Sequence, residues 1–506
     1  MKKNVLALSI AAMIGGFGFA GAASAALNVT ESGTGHILLV PYYSAQNGNM
    51  TVMHVVNTDT VKGKAVKVRF RGASNSDDVL DFQVFMSPGD VWTAAVTAGA
   101  DGVANLVTSD GTCTLPAIAK GVAVPFVLDR LPPAMTAADK ANNTREGYVE
   151  IFNMADIDNA TSTAYGPTGG TIPVRSALFT ATKHVNGVAP CTSSVLEGTT
   201  ALTTTTAPGA GLLAPTSGLS GSWYIVNVPQ TTTYSGAAVA VNATSATNIV
   251  FSGQTTGTPE LTSADPLFVS GVLAPQKYDL PDLSTPYETG TATAAAQATA
   301  LTASLQKTAV LNQYANDASI SAKTDWVFSM PTRRYSIAAN YKAPIGAGVL
   351  TTAQFADTNT TDVQKAAAYR VINSDVSSYF QTASRTSVNA IGQICTSASS
   401  VTFTDREETT RTTGAVFSPG TATTTALCGE VSVLSFADAG ASALGASVAR
   451  SNVTGVYTNG WGNIGFAAPI SVLGAAFMKL SNPNATPGVS GNYGITWPHA
   501  YINAVE

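Results

Sequence analysis

A chain of 506 residues, 45% of them hydrophobic, is long and apolar enough to bury more than one core, which excludes global disorder. Its 26 lysines and arginines against 31 aspartates and glutamates leave it mildly acidic, and only 11% of its residues are charged against a usual ~25%. With no basic runs, nucleic acid and anionic membrane surfaces are excluded as natural partners.

The first residues carry an address. Lys2 and Lys3 precede an uncharged apolar stretch from Val5 to Ala20, and Ala23-Ser24-Ala25 supplies the small-x-small pattern of a signal-peptidase site. Residues 1–25 read as a signal peptide, which leaves a mature net charge of 24 − 31 = −7. No later apolar run approaches the ~20 residues of a spanning helix, so no transmembrane segment is expected. The expected location is the cell surface or the extracellular space, with the periplasm as the remaining compartment.

Next comes alternation with period two. In Ala65–Arg71, Val66, Val68 and Phe70 face one way and Lys67, Arg69 and Arg71 the other, which predicts a half-buried strand with a basic outer face. Val79–Met86 and Val91–Val96 flank Ser87-Pro88-Gly89-Asp90, and His36–Ser44 and Met50–Asn57 flank Asn47-Gly48. Both sets predict hairpins. Further strands are expected at Gly147–Asn153, Trp223–Val228, Ala237–Val241, Trp326–Met330, Val431–Phe436 and Ile464–Ala467. The apolar runs Gly121–Leu128 and Ile470–Met478 read as buried strands. Closely spaced strands of this kind predict a mainly β fold of antiparallel sandwich-like domains rather than βαβ units.

Two stretches depart from that pattern. Residues 294–315 are rich in Ala, Leu and Gln, with Leu301, Leu305 and Ala309 at helical spacing, so one helix packed on a sheet is expected there. A second short helical turn is expected at Ala137–Ala141. The Thr/Ala/Gly/Pro tract 199–220 reads as a surface loop or a linker. The prolines Pro275, Pro281 and Pro286 mark the expected boundary between a domain at 26–275 and one at 276–506.

Candidate chemistry is sparse. Cys113, Cys191, Cys395 and Cys428 are an even set in an oxidising compartment, so two disulfides are expected. Three pairings are open, and Cys113–Cys191 with Cys395–Cys428 is favoured because each pair brackets one stretch of chain. Asn75, Asp77, Asp78 and Asp81 cluster before a strand as calcium-binding carboxylates do, although turn residues capping a hairpin account for them equally; Asp156-Ile157-Asp158-Asn159 has the same standing. Glu150, between aromatics in Tyr148–Phe152, suits a glycosidase carboxylate if Asp405, Glu407 or Glu408 comes near; a solvent-facing glutamate is the plainer reading. His36, His54, His184 and His499 lack zinc spacing, and no nucleophile elbow or phosphate loop is present. Trp92, Trp223 and Trp326 lie in strand-like runs and read as core. Trp461 and Trp497, near glycines and Pro498, are the better candidates for an exposed sugar-stacking platform.

Several blocks carry a resemblance: HILLVPYY at His36–Tyr43, KAVKVRFRGASNSDDVLDFQVFMSPGDVW at Lys64–Trp92, REGYVEIFNM at Arg145–Met154 and TDWVFSMPTRRY at Thr324–Tyr335. Asp405–Glu408, Phe417-Ser418-Pro419 and Leu427–Glu430 add to it. Together they resemble a group of exported Gram-negative proteins known as cell surface proteins. The resemblance implies location and a shared β-rich core, with no activity or site residues attached. The resulting expectation is a non-enzymatic structural or interaction protein of the bacterial exterior, a surface-layer, matrix or fibre component. It would contact copies of itself or envelope glycans and need no cofactor other than the calcium weighed above. A glycan-binding adhesin is the alternative, and a secreted carbohydrate hydrolase a third.

Overall fold

The computed structural model describes residues 27–503 apart from 255–293, 340–348, 352–386, 413–425 and a number of shorter stretches. The signal-peptide reading and the prolines of the domain boundary fall outside the described residues. The chain is mainly β, and its described residues form four large sheets, two from strands before residue 244 and two from strands after residue 305.

Sheet I runs in the order Leu27–Val29, Val239–Ala243, Ile37–Ser44, Glu146–Ile157, Gly63–Gly72, Asp78–Met86, Cys113–Leu115. Sheet II runs Thr232–Ala237, Leu219–Asn227, Asn49–Asn57, Val91–Ala98, Ala104–Val107, Val124–Pro125. Between them lie Val66, Val68, Phe70, Phe82, Trp92 and Trp223, so the apolar phase of the alternation faces the sandwich interior. Sheet III has Ile394–Thr404, Asn459–Ser471, Gln306–Ala315 and Ala500–Asn503 as its main strands. Sheet IV runs Arg450–Asn452, Val431–Phe436, Lys323–Ser329, Leu473–Thr486, Val489–Pro498.

Sheet IV is covered on both faces. Trp326, Phe328, Leu434, Phe436 and Ala476 point at sheet III, while Val327, Val433, Ala475 and Phe477 join the core of the first sandwich. Near-continuous apolar strands such as WVFS follow from that double burial. The Phe477 ring sits 6.1 Å from Tyr42, 5.9 Å from Trp223 and 5.5 Å from Tyr234, which locks the two halves together. Beside this contact two edge strands shield each other. The Ser235 N–H donates to Thr496 Oγ1 at 3.1 Å, and Asn492 Nδ2 donates to the Gln230 carbonyl at 2.7 Å. A Cβ on Gly494 would collide with the Thr233 carbonyl there.

Several expectations need correction. The segments flanking Asn47-Gly48 and Ser87-Pro88-Gly89-Asp90 are not hairpins: in each case the chain leaves sheet I and enters sheet II, arching over the edge of the core. The turn chemistry is as expected, with Asn47, Gly48 and Gly89 at positive φ, but it fixes the reversal and not the sheet that receives the next strand. The expected helix at 294–315 ends at Leu305, and Gln306–Ala315 is a central strand paired on both sides. Leu301 and Leu305 are buried as the helical stripe requires, whereas Ala309 belongs to the strand. Gly121–Leu128 is largely exposed and contributes only the two-residue strand Val124–Pro125. Ala137–Thr144 is a helix, capped by Thr136, whose hydroxyl accepts from the Asp139 N–H. The 199–220 tract is no linker: its Ala207 and Leu212 are buried against sheet I with helix residues Leu178, Phe179 and Leu196. The disulfides join Cys113 to Cys191 and Cys395 to Cys428. Closing loops of 78 and 33 residues, they stabilise by roughly 4.5 and 3.7 kcal/mol in a chain-entropy account.

Candidate functional site

The second phase of the alternation holds a dense set of charged side chains. Lys67, Arg69 and Arg71 project from the outer face of sheet I, yet all three are buried, so the expected solvent-facing basic strand is a buried ionic face. Antiparallel register sets Arg71 opposite Asp78 and Tyr148, and Arg69 opposite Asp81 and Glu150. The ion pairs then run diagonally: Lys67 Nζ to Asp81 Oδ2 at 3.1 Å, Arg69 Nε to Asp78 Oδ2 at 3.2 Å, and Arg71 Nε to Glu150 Oε2 at 3.1 Å. Gln254 links the first pair, accepting from Lys67 Nζ at 2.7 Å and donating to Asp81 Oδ1 at 2.7 Å. Burial alone would raise the Asp81 carboxyl; the Lys67 ammonium and the Arg69 guanidinium reverse that and hold it well below the ordinary range.

This placement bears on the calcium candidates. Asp78 and Asp81 face the protein's own cations, Asp77 is buried beside them, and Asn75 lies outside the described residues. A divalent ion at Asp78 and Asp81 would have to displace Lys67 and Arg69, so these residues do not fit one. Asp156 likewise meets Lys64 Nζ at 3.0 Å, with Thr216 Oγ1 donating to it at 2.6 Å. Among the described residues no three His, Cys, Asp or Glu side chains converge as a metal site needs.

Glu150 is not the solvent-facing glutamate of the plainer reading. It is buried, paired with Arg71, and accepts from the Tyr148 hydroxyl at 3.2 Å. Asp405 instead closes a turn on the second half, accepting from the Glu407 and Thr409 N–H groups, and Glu407 and Glu408 are exposed. A glycosidase needs its two carboxyls flanking a substrate bond in an accessible cleft. Glu150 and the Asp405 turn do not form that arrangement.

Two further carboxyls escaped the sequence reading. Glu146 of sheet I and Asp325 of sheet IV are both fully buried at the contact between the halves, and both hold the segment Ser442–Val448. Glu146 accepts from the N–H of Ser447 at 2.6 Å and of Val448 at 3.2 Å, and Asp325 accepts from the Leu444 N–H at 2.9 Å. Burial pushes the Glu146 carboxyl up to about 7 against those two N–H donors, with Asp325 adding to the rise; burial raises Asp325 as well. The available signal was an acid inside an otherwise apolar run, as in Thr324-Asp325-Trp326-Val327-Phe328. At the far side of sheet IV, His499 Nε2 donates to the Val327 carbonyl at 2.9 Å and Nδ1 accepts from Asn312 at 2.8 Å. Burial drives its pKa down to about 4.

The aromatics divide as the sequence suggests. Trp92, Trp223 and Trp326 are buried in the cores, whereas Trp461 and Trp497 are 43% and 42% exposed, joined by Tyr493 at 57%. Tyr493 and Trp497 lie in phase on the edge strand Val489–Pro498. Trp461 pairs with the exposed Gln313, and the carbonyl of Trp497 accepts from the side chain of Asn312, one residue out of phase, at 2.9 Å, so the two tryptophans flank the Gln306–Ala315 strand from different faces. The fold is thus a disulfide-stapled pair of β-sandwiches with internal charges and exposed aromatics on its second half. Comparison of the chain with protein-family models, with curated proteins and with solved structures finds no match.

Proposed function

We propose that this protein is an exported structural or interaction component of the bacterial cell exterior that works through surface contacts rather than by transforming a substrate. One observation carries the reading: Lys67, Arg69, Arg71, Asp78, Asp81 and Glu150 of sheet I are consumed in buried ion pairs, while the large side chains offered to solvent include the aromatics Trp461, Tyr493 and Trp497. The signal-like pattern from Lys2 to Ala25 and the two disulfides support an oxidising destination. No helix among the described residues is long and apolar enough to cross a membrane.

A second reading, a glycan-binding adhesin, is favoured by the same aromatics, since an exposed indole and phenol offer faces on which sugar rings stack. Fractionation of the native host separates location from mechanism: recovery in a surface or extracellular fraction is expected, and recovery only in the cytoplasm would remove the proposal. Sedimentation of the purified chain across concentration, beside fluorescence titration with envelope polysaccharides, then distinguishes self-contact from sugar contact.

A further inference from the structure

Between the two sandwiches lies a cavity of about 260 Å³ with walls from both halves. Val29 and Trp223 form its first side and Leu305, Leu473 and Pro498 much of the second, so its lining is mainly apolar. At its margin stands Lys307, half-buried, with Nζ donating to Asn503 Oδ1 at 2.8 Å and lying 5.4 Å from the Tyr501 ring centroid. Both partners are neutral, and among the described residues no carboxylate pairs with this ammonium; burial lowers its pKa. An ammonium beside an apolar cavity, partly in water and otherwise held by an amide oxygen and a ring face, is placed to gain a charge-assisted hydrogen bond from an anion whose apolar body enters the cavity.

We propose that this cavity binds a small amphipathic anion, an apolar chain whose terminal carboxylate meets Lys307. At the ~30 Å³ that a water-sized group occupies, the space takes roughly nine heavy atoms, which accommodates the eight carbons of octanoate with part of its carboxylate left in solvent. The chain lies against Trp223, Leu305 and Leu473, and the head stays near solvent beside Lys307 and Tyr501. Because both halves supply walls, the ligand also holds them in their mutual arrangement. The proposal is independent of the surface aromatics, and its test leaves that reading untouched.

The test is calorimetric titration of the full chain with octanoate and with 1-octanol, which share the apolar body and differ in the head. Octanoate is expected to saturate one site per chain and to bind about tenfold or more tighter than octanol, the scale of one charge-assisted hydrogen bond. Lys307→Met is expected to bring octanoate to the octanol level and leave octanol unchanged, and Lys307→Arg to retain the preference. Val29→Trp, which places a large ring at the exposed rim, is expected to weaken both ligands. Absence of saturable octanoate binding, equal affinity for the two ligands, or wild-type binding of both in Val29→Trp would each overturn the proposal. Should Lys307→Met fail to fold, the contrast between the ligands on the wild-type chain still decides.

Discussion

The two halves use alternation to opposite ends. In sheet I the polar phase of Gly63–Gly72 is a row of cations that the fold buries and answers with Asp78, Asp81 and Glu150. In sheet IV both phases are mainly apolar, one facing sheet III and the other the first sandwich, with Asp325 as the buried carboxyl of its central strand, and the side chains left at the surface of this half include Tyr493 and Trp497. A buried ion pair contributes little net stability but makes any wrong register very costly, because a slipped strand leaves a cation unpaired in the interior. The mainly apolar strands of sheet IV carry no row of ion pairs, and Asp325 is answered by backbone N–H and hydroxyl donors instead. The first half therefore sets its strand alignment by charge, and the second by shape and by its clasp on the first.

The largest expected effects test that contrast. Asp81→Ala leaves Lys67 and Arg69 buried without the carboxylate they share and should cost about 3–5 kcal/mol in denaturant unfolding. Replacing both members of a pair, Arg71→Met with Glu150→Leu, should cost much less than either change alone; if the double variant is as unstable as the singles, the pairs are more than register marks. Phe477→Ala should also cost about 3–5 kcal/mol through the lost contacts and the cavity left behind. Because Phe477 joins the halves, scanning calorimetry should show its single transition separate into two.

The next effect is one of pH, with opposite signs in the two halves. Glu146 is held at about 7 in the fold against 4.5 for an ordinary glutamate, so the folded chain holds a proton that the unfolded chain releases. Its contribution is full below pH 4.5 and is lost as pH rises to 7, on the order of 3 kcal/mol. His499 falls from 6.5 to about 4. Its contribution is full above pH 6.5 and is lost as pH falls toward 4. Over pH 4.5 to 6.5 the two oppose each other, so wild-type stability should be nearly flat with respect to these groups. Glu146→Gln should expose a stability that climbs with pH over that window, and His499→Gln one that declines. Thermal scans at half-unit pH steps would read both slopes, and equal slopes in the two variants would refute the assignment.

Period two was legible from the sequence wherever one phase was clearly polar, as in Lys67–Arg71, and so were the strands it marks. Which sheet each strand enters was not, because Asn47-Gly48 and Pro88-Gly89 encode a reversal that serves a hairpin or an arch equally. The identity of Gln306–Ala315 was hidden by its helical composition; its strand state comes from pairing with Asn459–Ser471 and Ala500–Asn503, which no local pattern reports. The ionic face was legible in half: the cations were plain, but only register shows that Asp78 and Asp81, six and ten residues beyond Gly72 and Arg71, stand beside them. Glu146 and His499 draw their shifts from burial between elements far apart in the chain, which sequence distance does not disclose.

The smallest effect on stability carries the most information about function. Trp461→Ala and Trp497→Ala remove rings that are about two-fifths exposed and sit outside the cores, so each should cost about 1–2 kcal/mol, less than Asp81→Ala. If both aromatics instead prove as costly as Asp81→Ala, they belong to the scaffold and the surface-contact reading loses its motive. If the fold holds while self-association or polysaccharide binding drops in both variants, the exposed rings are the working surface. The combined variant with Tyr493→Ala then sharpens the result. Tyr493 and Trp497 share one edge strand, so a loss greater than the sum of the separate losses would mark one continuous contact, and an additive loss separate ones.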